Sequence, residues 1–401
     1  MKQIDGGITA VPGVRAAGVH AGIKAADTKD VALIVTDTPA PAAGVFTKNS
    51  VTAAPVIVCR EHLSDGRAQA VIVNSGNANA CTGEVGMANA QQMAASTAAQ
   101  LGIDADLVLV SSTGVIGQQL PMDKIENGIQ AAASALSPEA GADAAEAIMT
   151  TDTHPKSVAV EIEIRGTPVR IGGIAKGSGM GAPNMATMLS YLTTDARINP
   201  QTLQTALNRV VDDTYNLLTI DTDRSTNDTV ILLATGHANN VDIVAAAGEN
   251  YEMFCEGLQF VCTELVKMLA RDGEGATKLV EVQVIRAKNR SDAENAARAV
   301  AESPLVKTAI FGNDANWGRI MMAIGKSEAE FDPYQVNVYL ENYQLVKDGM
   351  DAGYDENRAT ALLAQDSVLI TIDLCAGDTE ITMWTCDYSY DYIRINADYR
   401  T

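Results

Sequence analysis

Between Lys176 and Leu192 the chain reads KGSGMGAPNMATMLSYL, a glycine-dense turn running into a β-type segment whose first candidate nucleophile is Thr187. A threonine hydroxyl is a weak nucleophile at its ordinary pKa and acts only beside a base. One such base is the α-amine of the same threonine, released when the Ala186–Thr187 peptide bond is cut. An α-amine with a reference pKa of about 7.7–8 is roughly one-tenth neutral at pH 7, and the neutral fraction can take the hydroxyl proton. Burial would enlarge that fraction. Gly177, Gly179 and Gly181, with Pro183 and Asn184, allow the tight backbone that brings the Thr187 hydroxyl onto the Ala186 carbonyl. The result would be an N-to-O acyl shift and an ester open to water.

Other chemistries fit these residues less well. Lys176 precedes the glycines, so the segment is not a P-loop, in which the lysine follows them. The dinucleotide pattern fails at its third glycine, where Ala182 stands, and Pro183-Asn184 favours a turn over a helix start. On spacing alone a plain glycine loop fits as well as a nucleophile-bearing turn. Asp221–Thr229 reads DTDRSTNDT, whose three aspartates suggest a metal, but the calcium-loop register is missing and no metal is expected. Six cysteines, at positions 59, 81, 255, 262, 375 and 386, form no C-x-x-C pair and are expected as buried thiols. The four histidines are scattered. Of these His154 stands beside Thr153, but no histidine base is needed if the new amine serves.

The elements that must hold this turn are mixed. Apolar β-type runs cover Val31–Thr36, Ala70–Val73, Leu107–Val110, Val158–Ile164 and Val169–Ala175, then Met188–Thr193 and Thr229–Ala234. Further strands are predicted at Leu279–Arg286, Val336–Leu340, Val368–Asp373 and Glu380–Thr385. Helical spacing marks Met87–Leu101, Pro200–Leu217 and Tyr251–Ala270, the last with Phe254, Leu258, Val261, Leu265 and Leu269 on one face. Strands and helices without strict alternation indicate α+β layers. No repeat or low-complexity linker marks a domain boundary.

The chain has 401 residues, enough for a large core, and a formal net charge of −21. That field repels nucleic acid and anionic membrane surfaces, so neither is an expected partner. The N-terminus lacks a basic stretch followed by an apolar run of about 7–15 residues, and no run approaches a membrane span, so a cytoplasmic protein is expected.

KGSGMGAPNMATML closely resembles the self-cleaving signature of the ornithine acetyltransferase family, also called glutamate N-acetyltransferase. Six further segments resemble the same family in the same order. They are NSGNANACTG (74–83), SSTGVIG (111–117), MTTDT (149–153), DGEGATK (272–278), GNDANWGRI (312–320) and NADYRT (396–401). Two departures stand out. Gly181 takes the place of an isoleucine, and in DTDRSTNDT Thr222 and Arg224 replace a glycine and a threonine; both bear on loop shape or substrate preference. The polar residues of GNDANWGRI read as a hydrogen-bonded turn around Trp317.

The resemblance implies an αββα-like sandwich of the self-processing, N-terminal-threonine type. Its precursor is cut into an α chain, 1–186, and a β chain, 187–401, that interleave in one folded unit. It implies Thr187 as nucleophile, with the Thr113 hydroxyl and the Gly114 N–H as oxyanion donors. Substrate binding falls to Thr153, Lys176, Thr187, Glu274, Asn396 and Thr401. The implied reaction moves acetyl from N-acetylornithine to glutamate through an acetyl-threonine, a step of arginine biosynthesis. No bound cofactor is implied, and the motifs leave open whether acetyl-CoA is a second donor. The assembly implied is two α and two β chains. Two rivals share the motifs: an aminopeptidase or amidohydrolase that passes its acyl group to water, and an uncut, non-catalytic relative.

Overall fold

A computed structural model describes residues 1–24, 27–181 and 188–398; Ala186, Thr187 and Thr401 lie outside them. The first strands are hydrophobic on both faces, the pattern of a sheet covered on both sides. They build two sheets linked by one long strand. Val31–Phe46 pairs through its first half with Val14–Val19 and Arg67–Asn77, shifts register between Val35 and Ala40, and pairs through its second half with Thr229–Ala234. The break falls at Pro39 and Pro41, which have no N–H to give to a ladder.

The second sheet runs Lys2–Ile4, Lys156–Ile164, Thr167–Lys176, Leu189–Thr194, Thr229–Ala234 and then the end of the long strand. Alternate residues divide the layers. Ile34, Val71, Val73 and Leu109 meet Ile174, Leu189, Tyr191, Ile231 and Leu233 between the sheets. Leu33, Ile72 and Val110 face Met93, Ala94, Ile125 and Ile129 of helices Gly83–Leu101 and Met122–Ser134. On the other side Val160, Ile171, Leu192 and Leu232 pack with Leu203, Leu207, Phe254, Leu258 and Val261 of helices Pro200–Asp212 and Glu249–Arg271. The result is helix, sheet, sheet, helix: the αββα sandwich.

Helix Glu249–Arg271 carries Glu249 and Glu252 in its first turn and Arg271 in its last, matching the helix dipole. Beyond it the same apolar cluster continues into a six-stranded sheet in which Leu279–Ala287 runs parallel to Ser367–Asp373 and antiparallel to Thr379–Cys386. Helix Pro200–Asp212 stops earlier than its apolar spacing suggests. Arg290 grips the Asp213 carboxylate at 2.6 Å and the Asp212 carbonyl at 3.0 Å, and a 3₁₀ turn, Tyr215–Leu217, follows.

Not all cysteines are buried. Cys59, Cys255, Cys262 and Cys386 are, but Cys81 is exposed and Cys375 partly so. Both exceptions sit in positive-φ turns, at +57° and +51°, outside the packed elements. Among the described residues no helix is long and apolar enough to cross a membrane.

Candidate active site

A cavity of about 350 Å³ opens where strands of the two sheets end together. Thr113 and Gly114 reach it from the end of strand Val108–Val115, and Lys176 from the end of Thr167–Lys176. Gly114 is irreplaceable on geometric grounds. Its φ is +132°, and a β-carbon there would lie 2.3 Å from the Gly76 carbonyl carbon and 2.5 Å from the Asn77 nitrogen. Asn227 ties this corner together, its side-chain amide donating to the carbonyls of Ala78 at 2.7 Å and Ser112 at 2.8 Å.

Lys176 is buried, and its ammonium donates to the Thr150 hydroxyl at 2.7 Å and to Thr113 Oγ1 at 3.4 Å. Thr113 Oγ1 thus accepts from a cation while its own proton stays available to a ligand. Burial lowers the Lys176 pKa, and Asp152, 3.8 Å away, works against that. Behind it lies a row of alternating buried charges: Asp152 accepts from Lys156 at 2.7 Å, and Lys156 reaches Asp272 at 2.5 Å. Burial works to raise the Asp152 pKa, but the charges of Lys176 and Lys156 outweigh it and hold the carboxyl below the usual carboxylate range. Such a row is costly to break, since an orphaned buried charge typically loses about 3–5 kcal/mol.

The glycine segment is held residue by residue. Gly177 N–H donates to Asp152 at 2.7 Å; the Ser178 hydroxyl meets Thr151 at 2.6 Å, and its carbonyl accepts the Glu274 N–H at 2.7 Å. Gly179 lets the Glu274 carboxylate lie against the backbone, where a β-carbon would come within 2.4 Å of it. The two Asp221 oxygens accept the N–H groups of Met180, at 2.6 Å, and Gly181, at 2.7 Å. Burial pushes the Asp221 carboxyl up to about 6, against the pull of the Gly181 and Met180 N–H groups. On the far side of 182–187, Asp228 Oδ1 accepts the Met188 N–H at 3.1 Å. Its Oδ2 is buried and meets no backbone N–H among the described residues. Burial pushes this carboxyl well above the carboxylate range, against the Met188 N–H and the Lys176 charge.

The sequence pattern of the ArgJ family matches residues 15–401. A protein of Symbiobacterium thermophilum, called arginine biosynthesis bifunctional protein ArgJ, is 52% identical over 403 residues that cover 100% of both chains. The chain belongs to the ArgJ family. A second ArgJ of that name, from Caldanaerobacter subterraneus subsp. tengcongensis, is 48% identical, again over 100% of both chains. The crystal structure of arginine biosynthesis bifunctional protein ArgJ from Bacillus halodurans superposes with a TM-score of 0.51 at 42% identity. It covers 52% of this chain and 98% of its own.

In this ArgJ-family chain the cavity gathers five of the sequence-predicted residues: Thr113, Gly114, Lys176, Glu274 and Asn396. Asn396, on the C-terminal helix Tyr390–Asp398, donates to Glu274 at 3.0 Å. Thr153 is exposed and outside the cavity lining. Its N–H and hydroxyl both turn to Asp272, and Thr150 and Thr151 of the same MTTDT segment line the cavity. His154 is likewise exposed, 3.4 Å from Asp272. In GNDANWGRI Asn316 caps helix Trp317–Gly325 and Arg319 donates to the Leu305 carbonyl at 2.7 Å, while Asn313 accepts from Lys278 of the DGEGATK segment. Asp221 and Asp223 line the cavity but have no predicted role: the aspartates suggest a metal at first sight, the missing calcium register removes that reading, and spacing carries no sign that one of them holds backbone N–H groups.

The two departures have structural counterparts. Gly181 packs so closely on Ile220 that a β-carbon would lie 3.0 Å from that side chain. Thr222 adopts φ +73°, a conformation costly for a β-branched residue and free for glycine. We expect Thr222→Gly to stabilise the protein by about 1 kcal/mol, the relief of strain exceeding the added freedom of the unfolded chain. Urea unfolding with an unchanged slope and a midpoint no higher than wild type would contradict this.

Proposed function

We propose that this chain is a glutamate N-acetyltransferase of arginine biosynthesis that cuts itself before Thr187 and carries acetyl on that residue. The supporting observation is the convergence of Thr113, Gly114 and Lys176 on one cavity with the carboxylates of Asp221, Asp223 and Glu274. An amino acid needs both a cation for its carboxylate and an anion for its ammonium. The half-length of the Bacillus halodurans chain, which covers 52% of this one at 98% of its own length, also supports a cut near the middle.

In this reading the Thr187 α-amine takes the hydroxyl proton as Oγ attacks the acetyl carbonyl of N-acetylornithine. The Thr113 hydroxyl and Gly114 N–H hold the oxyanion, the amide C–N bond breaks, and ornithine leaves with the proton. The glutamate amine then attacks the acetyl ester by the reverse path and departs as N-acetylglutamate. Lys176 pairs with the substrate α-carboxylate; Glu274 with Asn396, joined by Thr401, attracts the ornithine side-chain ammonium. Thr150 and Thr151 complete the binding set from the segment that holds Thr153, whose own hydroxyl is turned to Asp272. Acetyl-CoA serves as a second donor to the same threonine, in keeping with the word bifunctional in the relatives' names. The assembly is two α and two β chains.

The test follows acetyl from labelled N-acetylornithine. With glutamate present, label should appear in N-acetylglutamate with ping-pong kinetics. Acetate release at a rate indifferent to glutamate would instead assign the chain to the amidohydrolases.

A further inference from the structure

The segment between the 3₁₀ turn and strand Thr229–Ala234 has a task that substrate binding does not explain. Its first aspartate holds the backbone just before 182–187, and its last holds the backbone just after. At the upstream end the grip is reciprocal. Asp221 accepts from Met180 and Gly181, and the Gly181 carbonyl accepts from the N–H groups of Ile220, at 2.6 Å, and Asp221, at 3.2 Å. At the downstream end Asp228 accepts from Met188, and the Met188 carbonyl accepts from the Thr229 N–H at 3.2 Å. Asp228 is itself fixed, its carbonyl taking the Thr47 N–H at 2.9 Å.

We propose that Asp221 and Asp228 are positioning residues for self-cleavage, a two-jaw clamp that sets the distance and direction between the two ends of the scissile turn. The proposal rests on the scission reading above. An acyl shift needs the hydroxyl and its own preceding carbonyl in near-attack geometry, and misplacement on the ångström scale is enough to slow such a step strongly. The clamp would supply this geometry through Met180, Gly181 and Met188, which lie outside the Ala186–Thr187 bond in sequence. Met188 N–H, the downstream grip, belongs to the residue that directly follows the nucleophile in sequence.

The two jaws differ in a way that yields opposite results for the same substitution. Asp221 uses both oxygens as acceptors, so an asparagine would set an NH₂ group against a backbone N–H. Asp228 gives Oδ1 to Met188, and among the described residues no backbone N–H meets its Oδ2; the Ser225 hydroxyl near the carboxyl can accept as well as donate. There an asparagine oxygen can keep the Met188 bond while its NH₂ takes the Oδ2 side, where no described backbone N–H opposes it.

The experiment follows fragment appearance on denaturing gels after cell-free synthesis of the full chain. Asp221→Asn and Asp228→Ala should each slow the cut roughly tenfold or more, whereas Asp228→Asn should stay within a few-fold of wild type. Wild-type rates for Asp221→Asn, or equal slowing in Asp228→Asn and Asp228→Ala, would overturn the clamp. A wild-type chain that never splits would instead overturn the scission reading itself. Should a variant fail to fold, hydrogen exchange on the uncut Thr187→Ala chain decides the matter. The Met180, Gly181 and Met188 amides should exchange slowly, and fast exchange there would also overturn the proposal.

Discussion

Thr187→Ala should run as one full-length band where the wild type should give two, and it should transfer no acetyl. The reason is double. On the proposed mechanism the substitution removes the hydroxyl that would attack the Ala186 carbonyl, so the α-amine would never be released, and it removes the atom proposed to carry acetyl. Of the substitutions considered it has the largest expected effect because no other residue can supply an amine and a hydroxyl on adjacent atoms. Denaturing electrophoresis with N-terminal sequencing checks the first half: the smaller-numbered piece should start at Met1 and the other at TMLSYL. A wild type that stays whole yet transfers acetyl would refute the role of the amine as base.

The next largest effect belongs to Thr113. Thr113→Val keeps shape and removes the donor, so kcat should fall by about 10²–10³, the usual loss for one oxyanion donor, while KM changes little. The hydroxyl lies at the end of a buried strand and takes a hydrogen bond from Lys176 through its oxygen, at 3.4 Å, which leaves its proton for the oxyanion. That polarised arrangement makes it a better donor than an isolated threonine. Valine also leaves the Lys176 ammonium with Thr150 at 2.7 Å, so the buried charge keeps a partner and the fold should hold. Full kcat in Thr113→Val would move the oxyanion role elsewhere; a matched loss of melting temperature and activity would make it structural.

Much of this site is legible in the chain because its parts are short and contiguous. KGSGMG announces a turn through its glycines, and the strands on either side announce themselves through β-branched runs. The charged row behind Lys176 is not legible. Asp152 and Lys156 stand four residues apart, but Asp272 joins them only when strand Lys156–Ile164 and the end of helix Glu249–Arg271 meet, and nothing local sets the three apart from surface charges. Asp221 and Asp228 fail for another reason: with the calcium register missing the segment carries no expected metal, and nothing in its spacing says that its oxygens face backbone amides. The one available signal was position: Asp228 stands directly before the all-buried strand Thr229–Ala234, a costly place for a carboxyl without a structural task.

The long strand escaped for a simpler reason. Asp37, Pro39 and Pro41 punctuate it, so the apolar run seems to stop at Thr36, yet the chain continues in extended form to Phe46. A proline ends a ladder but not an extended backbone, and here the break is where one sheet hands over to the next.

The order of strands carries a consequence for how the molecule can be made. Leu189–Thr194 and Thr229–Ala234 lie between Thr167–Lys176 on one side and the end of Val31–Phe46 on the other, so a piece starting at 187 would be slotted into a gap left by the piece that ends at 186. Neither piece alone has a finished sheet; each would present bare ladder edges to the solvent. The unbroken backbone therefore acts as its own assembly jig, keeping both pieces at high local concentration until the insertion is complete. Two separately made polypeptides would have to find that interlock by collision, with sticky edges exposed while they searched.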